Sequence, residues 1–255
     1  MSYDPGKKTV DFDCTIISDG TGMYDDIQTA FTAVGANKSY LIRGSFTAAS
    51  SITVPAGAYL VIQKATVTLT NASFTLGGND GITAIGELTL TGAGLDTTRE
   101  LFNTGAAAND NFMSGLLINL VPTGNGLTKG SSADIAHCVL NGARNYFNFK
   151  MHDIAYNLSE GGGLLLQMIV TTAFINGELK YFFDTVANAG TDNLLCNTMN
   201  NASHYNTIYM NIESCTGGTP VPLTLNGDYN CVVGVNRGSG TIGTTGTGND
   251  LYVAV

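Results

Sequence analysis

The chain has 255 residues, of which 44% are hydrophobic and only 12% charged, about half the charge of an average soluble protein. Its net charge of −9, with only 11 Lys plus Arg, leaves no basic stripe for counterion release and excludes nucleic acid as a partner. The opening from Met1 to Gly22 has no basic segment leading into an apolar run, and no apolar stretch reaches the roughly 20 residues of a membrane span. The expectation is a chain with neither signal peptide nor membrane anchor.

The first element is a short helix. After Asp19-Gly20-Thr21-Gly22, the apolar residues Ile27, Ala30, Phe31 and Val34 recur at i, i+3, i+4 and i+7, with acidic residues in the first turn and Gly35 after the end. The spacing predicts an amphipathic helix within 24–34.

Beyond Lys38 the period falls to two. Tyr40-Leu41-Ile42-Arg43, Ser51-Ile52-Thr53-Val54, Tyr59-Leu60-Val61-Ile62 and Thr66-Val67-Thr68-Leu69-Thr70 are β-branched or aromatic runs bounded by Gly, Asn, Ala or Pro. They repeat. Tyr40-Leu41-Ile42 returns as Leu60-Val61-Ile62, and Thr66-Val67-Thr68-Leu69-Thr70 returns 21 residues later as Glu87-Leu88-Thr89-Leu90-Thr91. A period near 20 holding several strands signals a coiled chain. Alternation then sends Val67, Leu69, Leu88 and Leu90 inward and Thr68 and Thr89 outward. The threonine array is read as an outward strand face, not an ice-binding surface.

Further on, Asn193, Asn206, Asn230 and Asn249 each stand at the entry to an apolar strand. These asparagines are expected to take a left-handed turn conformation, and stacked turns would let their amides form a ladder. In Tyr146-Phe147-Asn148-Phe149 and Tyr181-Phe182-Phe183, with Tyr205 and Tyr209, about half the rings belong in the core by alternation.

The segment from Ile17 to Ala30, followed by Leu41-Ile42-Arg43-Gly44-Ser45-Phe46-Thr47 and Ile52-Thr53-Val54-Pro55, resembles the opening of the pectin-lyase-like superfamily, and of pectinesterases in particular. The resemblance implies an all-β fold, a single-stranded right-handed parallel β-helix with a short N-terminal capping α-helix. One domain is expected over 1–255, with an N-terminal strand and the capping helix in 1–38 and coils over 39–255.

The family's chemistry does not carry over. Ala48 stands where the pectinesterase Gly-x-aromatic-x-Glu motif needs Glu, and the chain has no Trp. Asn197-Thr198 is followed by Met199, not by the Asp of polygalacturonases, and none of the three histidines sits between glycines. A dispersed carboxylate pair could still act, its separation setting inverting or retaining chemistry. The candidates are Asp153, Glu160, Glu178, Asp184, Asp192, Glu213 and Asp228. Among them Asp184 and Glu213 are placed on nearby rungs, with Lys180 or Arg144 to complete a cleft. His152-Asp153 is a weaker pair, because adjacent strand residues face opposite ways.

The five cysteines, Cys14, Cys138, Cys196, Cys215 and Cys231, are odd in number and widely spaced, so they are read as reduced and mostly buried. No cofactor or metal site is expected. The terminal Asp250-Leu251-Tyr252-Val253-Ala254-Val255 is an apolar strand with no cover like the N-terminal helix, so a neighbouring copy is expected to cover it. Phage tailspikes and capsid-decorating spikes, which the chain resembles, are trimers of this kind. The sequence therefore reads as a homotrimeric virion spike, fibre or decoration protein, assembled in the host cytoplasm with other virion proteins, with host-surface polysaccharide as a candidate ligand. A tailspike-type polysaccharide depolymerase is the alternative.

Overall fold

The computed structural model describes residues 11–94, 100–105, 107–122, 135–152, 154–156, 165–188, 193–216 and 221–255. Apart from one helix, the described elements are strands, gathered into two sheets in which every pairing is parallel. The first sheet runs from Cys14–Ile17 through Ser39–Ala48, Tyr59–Thr70, Thr83–Gly94, Phe112–Pro122, Tyr146–Met151, Glu178–Asn188, Thr207–Thr216 and Cys231–Asn236 to Asp250–Ala254. The second begins at Ile52–Thr53 and ends at Gly243–Thr244. From Ser39 onward the chain leaves the first sheet, crosses the second and returns one strand further along.

Period two decides what fills the interior. Val67, Leu69, Leu88 and Leu90 are buried and Thr68 and Thr89 partly exposed, as the alternation predicts. The inward residues from Cys14 to Val232 form one apolar cluster. Phe74, Phe102, Phe147 and Phe174 follow one another through it with ring centroids 5.7–6.3 Å apart, the first pair stacked, the second edge-on and the third tilted. The aromatic runs divide as expected. Phe147, Phe149, Tyr181 and Phe183 are buried, while Tyr205 and Tyr209 are exposed.

The repeat is longer and less even than the sequence suggests. Tyr40 pairs with Leu60 and Ile42 with Ile62, which fits a period near 20. Thr66, however, pairs with Thr89 and Val67 with Leu90, a two-residue slip from the 21-residue match. A slip of two keeps every side chain on its face, so the burial pattern survives it. Wider steps follow. The turn asparagines Asn111 and Asn145 are 34 residues apart, whereas Asn230 and Asn249 are 19 apart.

The helix spans Ile27–Val34, shorter than 24–34. Asp26 is its N-cap, accepting a 2.7 Å hydrogen bond from the Thr29 amide, so the acidic side chain lies at the cap and not within the first turn. Ile27, Ala30 and Phe31 are buried, and Phe31 meets Tyr40 edge-on at 4.9 Å. The helix thereby covers the Cys14–Ile17 end of the core.

The turns entering the first sheet form a ladder, but the left-handed residue is not the laddered one. Positive φ falls one position earlier, at Asp110, Arg144, Tyr205, Tyr229 and Gly248, while Asn111, Asn145, Asn206, Asn230 and Asn249 follow them. The left-handed residue turns the chain, and the next residue's amide is then aimed along the stack. Asn206 Nδ2 donates to Asn230 Oδ1 at 3.0 Å, and Asn230 Nδ2 donates to Asn249 Oδ1 at 3.2 Å. Asn193 begins a strand of the second sheet and lies outside this ladder.

Among the described residues, Cys14, Cys138 and Cys215 are buried thiols and Cys231 is a half-buried one. Burial pushes the Cys138 thiol well above its ordinary pKa. Among the described residues no helix is long and apolar enough to cross a membrane.

Candidate functional site

The outer face of the first sheet carries a polar ribbon near the ends of its strands. Phe183 pairs with Ile212 and Thr185 with Ser214, so Asp184 and Glu213 stand side by side on adjacent strands, about 4.8 Å apart along the backbone. Phe183 and Ile212 point inward, which turns both carboxylates outward. The sequence expectation that these two lie on neighbouring rungs thus matches the register.

Each carboxylate has a basic partner. Lys150 Nζ lies 3.3 Å from Asp184 Oδ2, with His152 Nδ1 at 3.6 Å from the same oxygen. Arg237, one residue beyond Asn236, reaches back to Glu213 Oε1 at 2.6 Å. The network continues through the buried side chain of Asn119. Its Oδ1 lies 2.9 Å from His152 Nε2, and its Nδ2 donates to Glu87 Oε1 at 3.2 Å. An amide oxygen only accepts, so Nε2 carries hydrogen and Nδ1 is the nitrogen turned to Asp184.

Beside the ribbon runs an open groove of about 340 Å³, lined by Asn148, Lys180, Phe182, Tyr209, Asn211 and Val233. Lys180 Nζ sits 5.4 Å above the Tyr209 ring and 3.0 Å from Glu178. Lys150 lies 5.1 Å over Phe182. Both lysines thus place their ammonium groups over aromatic rings.

The other candidates are dispersed. Arg144 sits at the opposite, entry end of the strands, held by Asp110 through Nε at 2.5 Å and Nη2 at 2.7 Å. That guanidinium holds the Asp110 carboxyl below its ordinary pKa. Asp228 lies in a turn, where it accepts from the Thr247 amide at 2.6 Å. Glu178 opens its strand, and Lys180 lies in the groove. Asp153, Glu160 and Asp192 fall outside the described residues.

Glu87, Asn119, Lys150 and Arg237 were not singled out in the sequence. No local motif joins them, because they come from four coils of unequal length and meet only through strand register. Among the described residues no three His, Cys, Asp or Glu side chains gather as a metal site. The chain matches no protein-family model, no curated protein and no solved structure.

Proposed function

We propose that the chain is a right-handed parallel β-helix that serves as a spike, fibre or decoration protein of a virion, associates as a homotrimer, and holds a host-surface glycan on the polar ribbon. The passage of the chain between two parallel sheets, one strand further each time, supports the helix; right-handedness follows from the strong bias of parallel crossovers. The charge-poor surface and the absent pectinase signatures support a structural role. Assembly would take place in the host cytoplasm beside other virion proteins.

The observation that carries the glycan reading is the pairing of both carboxylates, Asp184 with Lys150 and His152, Glu213 with Arg237. Glycoside cleavage uses one carboxyl as a proton donor and a second that is free to attack or to activate water. Carboxylates already engaged with cations, beside an amide and an imidazole, instead offer fixed donors and acceptors to sugar hydroxyls. The side-by-side placement of Asp184 and Glu213 favours the second reading, a depolymerase.

One preparation separates the two. Bacterial capsular polysaccharides should be retained by the immobilised protein without release of reducing ends or unsaturated products. Arg237→Ala should weaken retention at least about tenfold, the effect of losing roughly 1.4 kcal/mol. Cleavage that vanishes in Asp184→Asn or Glu213→Gln would establish the depolymerase instead.

A further inference from the structure

We infer that an aromatic strip along the entry side of the first sheet is the face through which copies of this chain associate. The inference rests on the oligomeric reading above and is independent of the glycan. Exposed apolar side chains gather on this strip. Tyr205 is 58% exposed, Tyr229 54%, Phe112 49%, Tyr59, Ile85 and Tyr209 40% each, and Val233 37%. They occupy three neighbouring columns: the left-handed turns, the first strand position and the third.

Adjacent rings are aligned along the strip. Phe112 stacks on Tyr146 with centroids 5.0 Å apart, and Tyr205 on Tyr229 at 5.1 Å with planes 3° apart. The two tyrosines sit at φ 59° and 55°, a conformation unfavourable for a bulky side chain. Corresponding turns in other coils use Asn37, Gly57, Gly81, Asp110, Asn176 and Gly248, which adopt it readily, and Arg144, whose guanidinium is held by Asp110. Tyrosine is therefore strained there, and its outer ring face is left in water. A partner that covers the rings accounts for both features.

A second copy fits better than a charged partner. The ion pairs in and beside the strip, Glu178–Lys180 at 3.0 Å and Arg144–Asp110 at 2.5 Å, are satisfied within the chain, so neither offers an unpaired charge to a partner. Size decides the rest. At ~200 Å² per aromatic side chain the exposed fractions amount to roughly 600 Å². Two such faces reach about 1,200 Å², the lower bound for a stable specific interface. Each strand step adds ~4.8 Å, so the seven strands from Tyr59–Thr70 to Cys231–Asn236 make a strip about 30 Å long, suited to copies lying side by side.

Light scattering after size-exclusion chromatography tests this on the full chain. The unaltered protein should show a multiple of the single-chain mass. Tyr205→Asn/Tyr229→Asn should run at single-chain mass with an unchanged far-ultraviolet circular dichroism spectrum, since Asn tolerates the left-handed turn. Thr53→Lys/Thr244→Lys, on the exposed face of the second sheet, should keep the multiple. If the tyrosine variant loses its spectrum, Phe112→Ser, at an exposed strand position, decides in its place. A multiple retained in folded strip variants overturns the inference and leaves the oligomeric reading standing. Single-chain mass for the unaltered protein at every concentration overturns both.

Discussion

Asn197 shows most sharply how this fold constrains a single residue. It points into the core between Ile169 and Leu223 on the neighbouring strands, is fully buried, and neither its Nδ2 nor its Oδ1 has a hydrogen-bond partner among the described residues. A buried, unsatisfied amide costs about 1–3 kcal/mol. Leu has the branching and heavy-atom count of Asn and continues the aliphatic column of Ile169 and Leu223, so Asn197→Leu should raise the melting temperature; a fall would show that the amide has a stabilising partner or that the larger methyl groups overpack the site. Tyr40 makes the opposite kind of case. Its hydroxyl donates to the Gly35 carbonyl at the helix end, and burial raises its pKa from 10.0 to about 12. The folded state thus favours the protonated phenol. This stability is present in full below pH 10 and is lost as pH climbs through about 12. Thermal melts should fall across that window, and Tyr40→Phe should flatten the fall.

At the scale of elements, the turn ladder couples one coil to the next. Asn230 accepts from the Asn206 backbone at 3.1 Å and donates to the Ser203 carbonyl at 3.1 Å, besides its links to Asn206 and Asn249 side chains. Asn230→Ala would leave these buried groups unpaired. A loss of roughly 2–4 kcal/mol is expected, from about 1–3 kcal/mol for each orphaned group with partial relaxation. The ladder has one gap, at Gly177. A Cβ there would meet the Phe174 ring at 2.5 Å and the Asn145 carbonyl oxygen at 2.7 Å. Gly177→Asn would restore the missing rung on paper but displace a fully buried ring, so it should destabilise the protein. Chemical denaturation of both variants checks the pair, and a stabilised Gly177→Asn would show that Phe174 can move aside.

Over the whole molecule, the outer face of the first sheet is divided lengthwise. Its entry side holds the exposed aromatic residues, and its exit side holds Lys150, His152, Asp184, Glu213 and Arg237. Parallel, near-in-register stacking produces this division, because each strand position becomes a column along the molecule. The same geometry places the proposed self-association and the proposed glycan retention on different columns of one face. The proposed tests on Arg237 and on Tyr205/Tyr229 accordingly address separate surfaces.

The sequence by itself determined the local rules. Period two fixed which of Val67, Thr68, Leu69, Leu88, Thr89 and Leu90 face inward, and the spacing of Ile27, Ala30, Phe31 and Val34 marked the helix, since both depend only on side-chain direction within one element. The strand-entry Asn residues announced a ladder. What the tertiary structure decided was register. Thr66 pairs with Thr89 and not Glu87, the coils lengthen toward the middle, and the left-handed turn falls on Tyr205 and Tyr229 instead of on Asn206 and Asn230. Register between coils depends on how many residues each connection consumes before the core can close, and no window of sequence contains that sum. For the same reason Asp184 and Glu213 could be placed near each other from sequence, whereas Asn119, Lys150 and Arg237 became their neighbours only when the coils stacked.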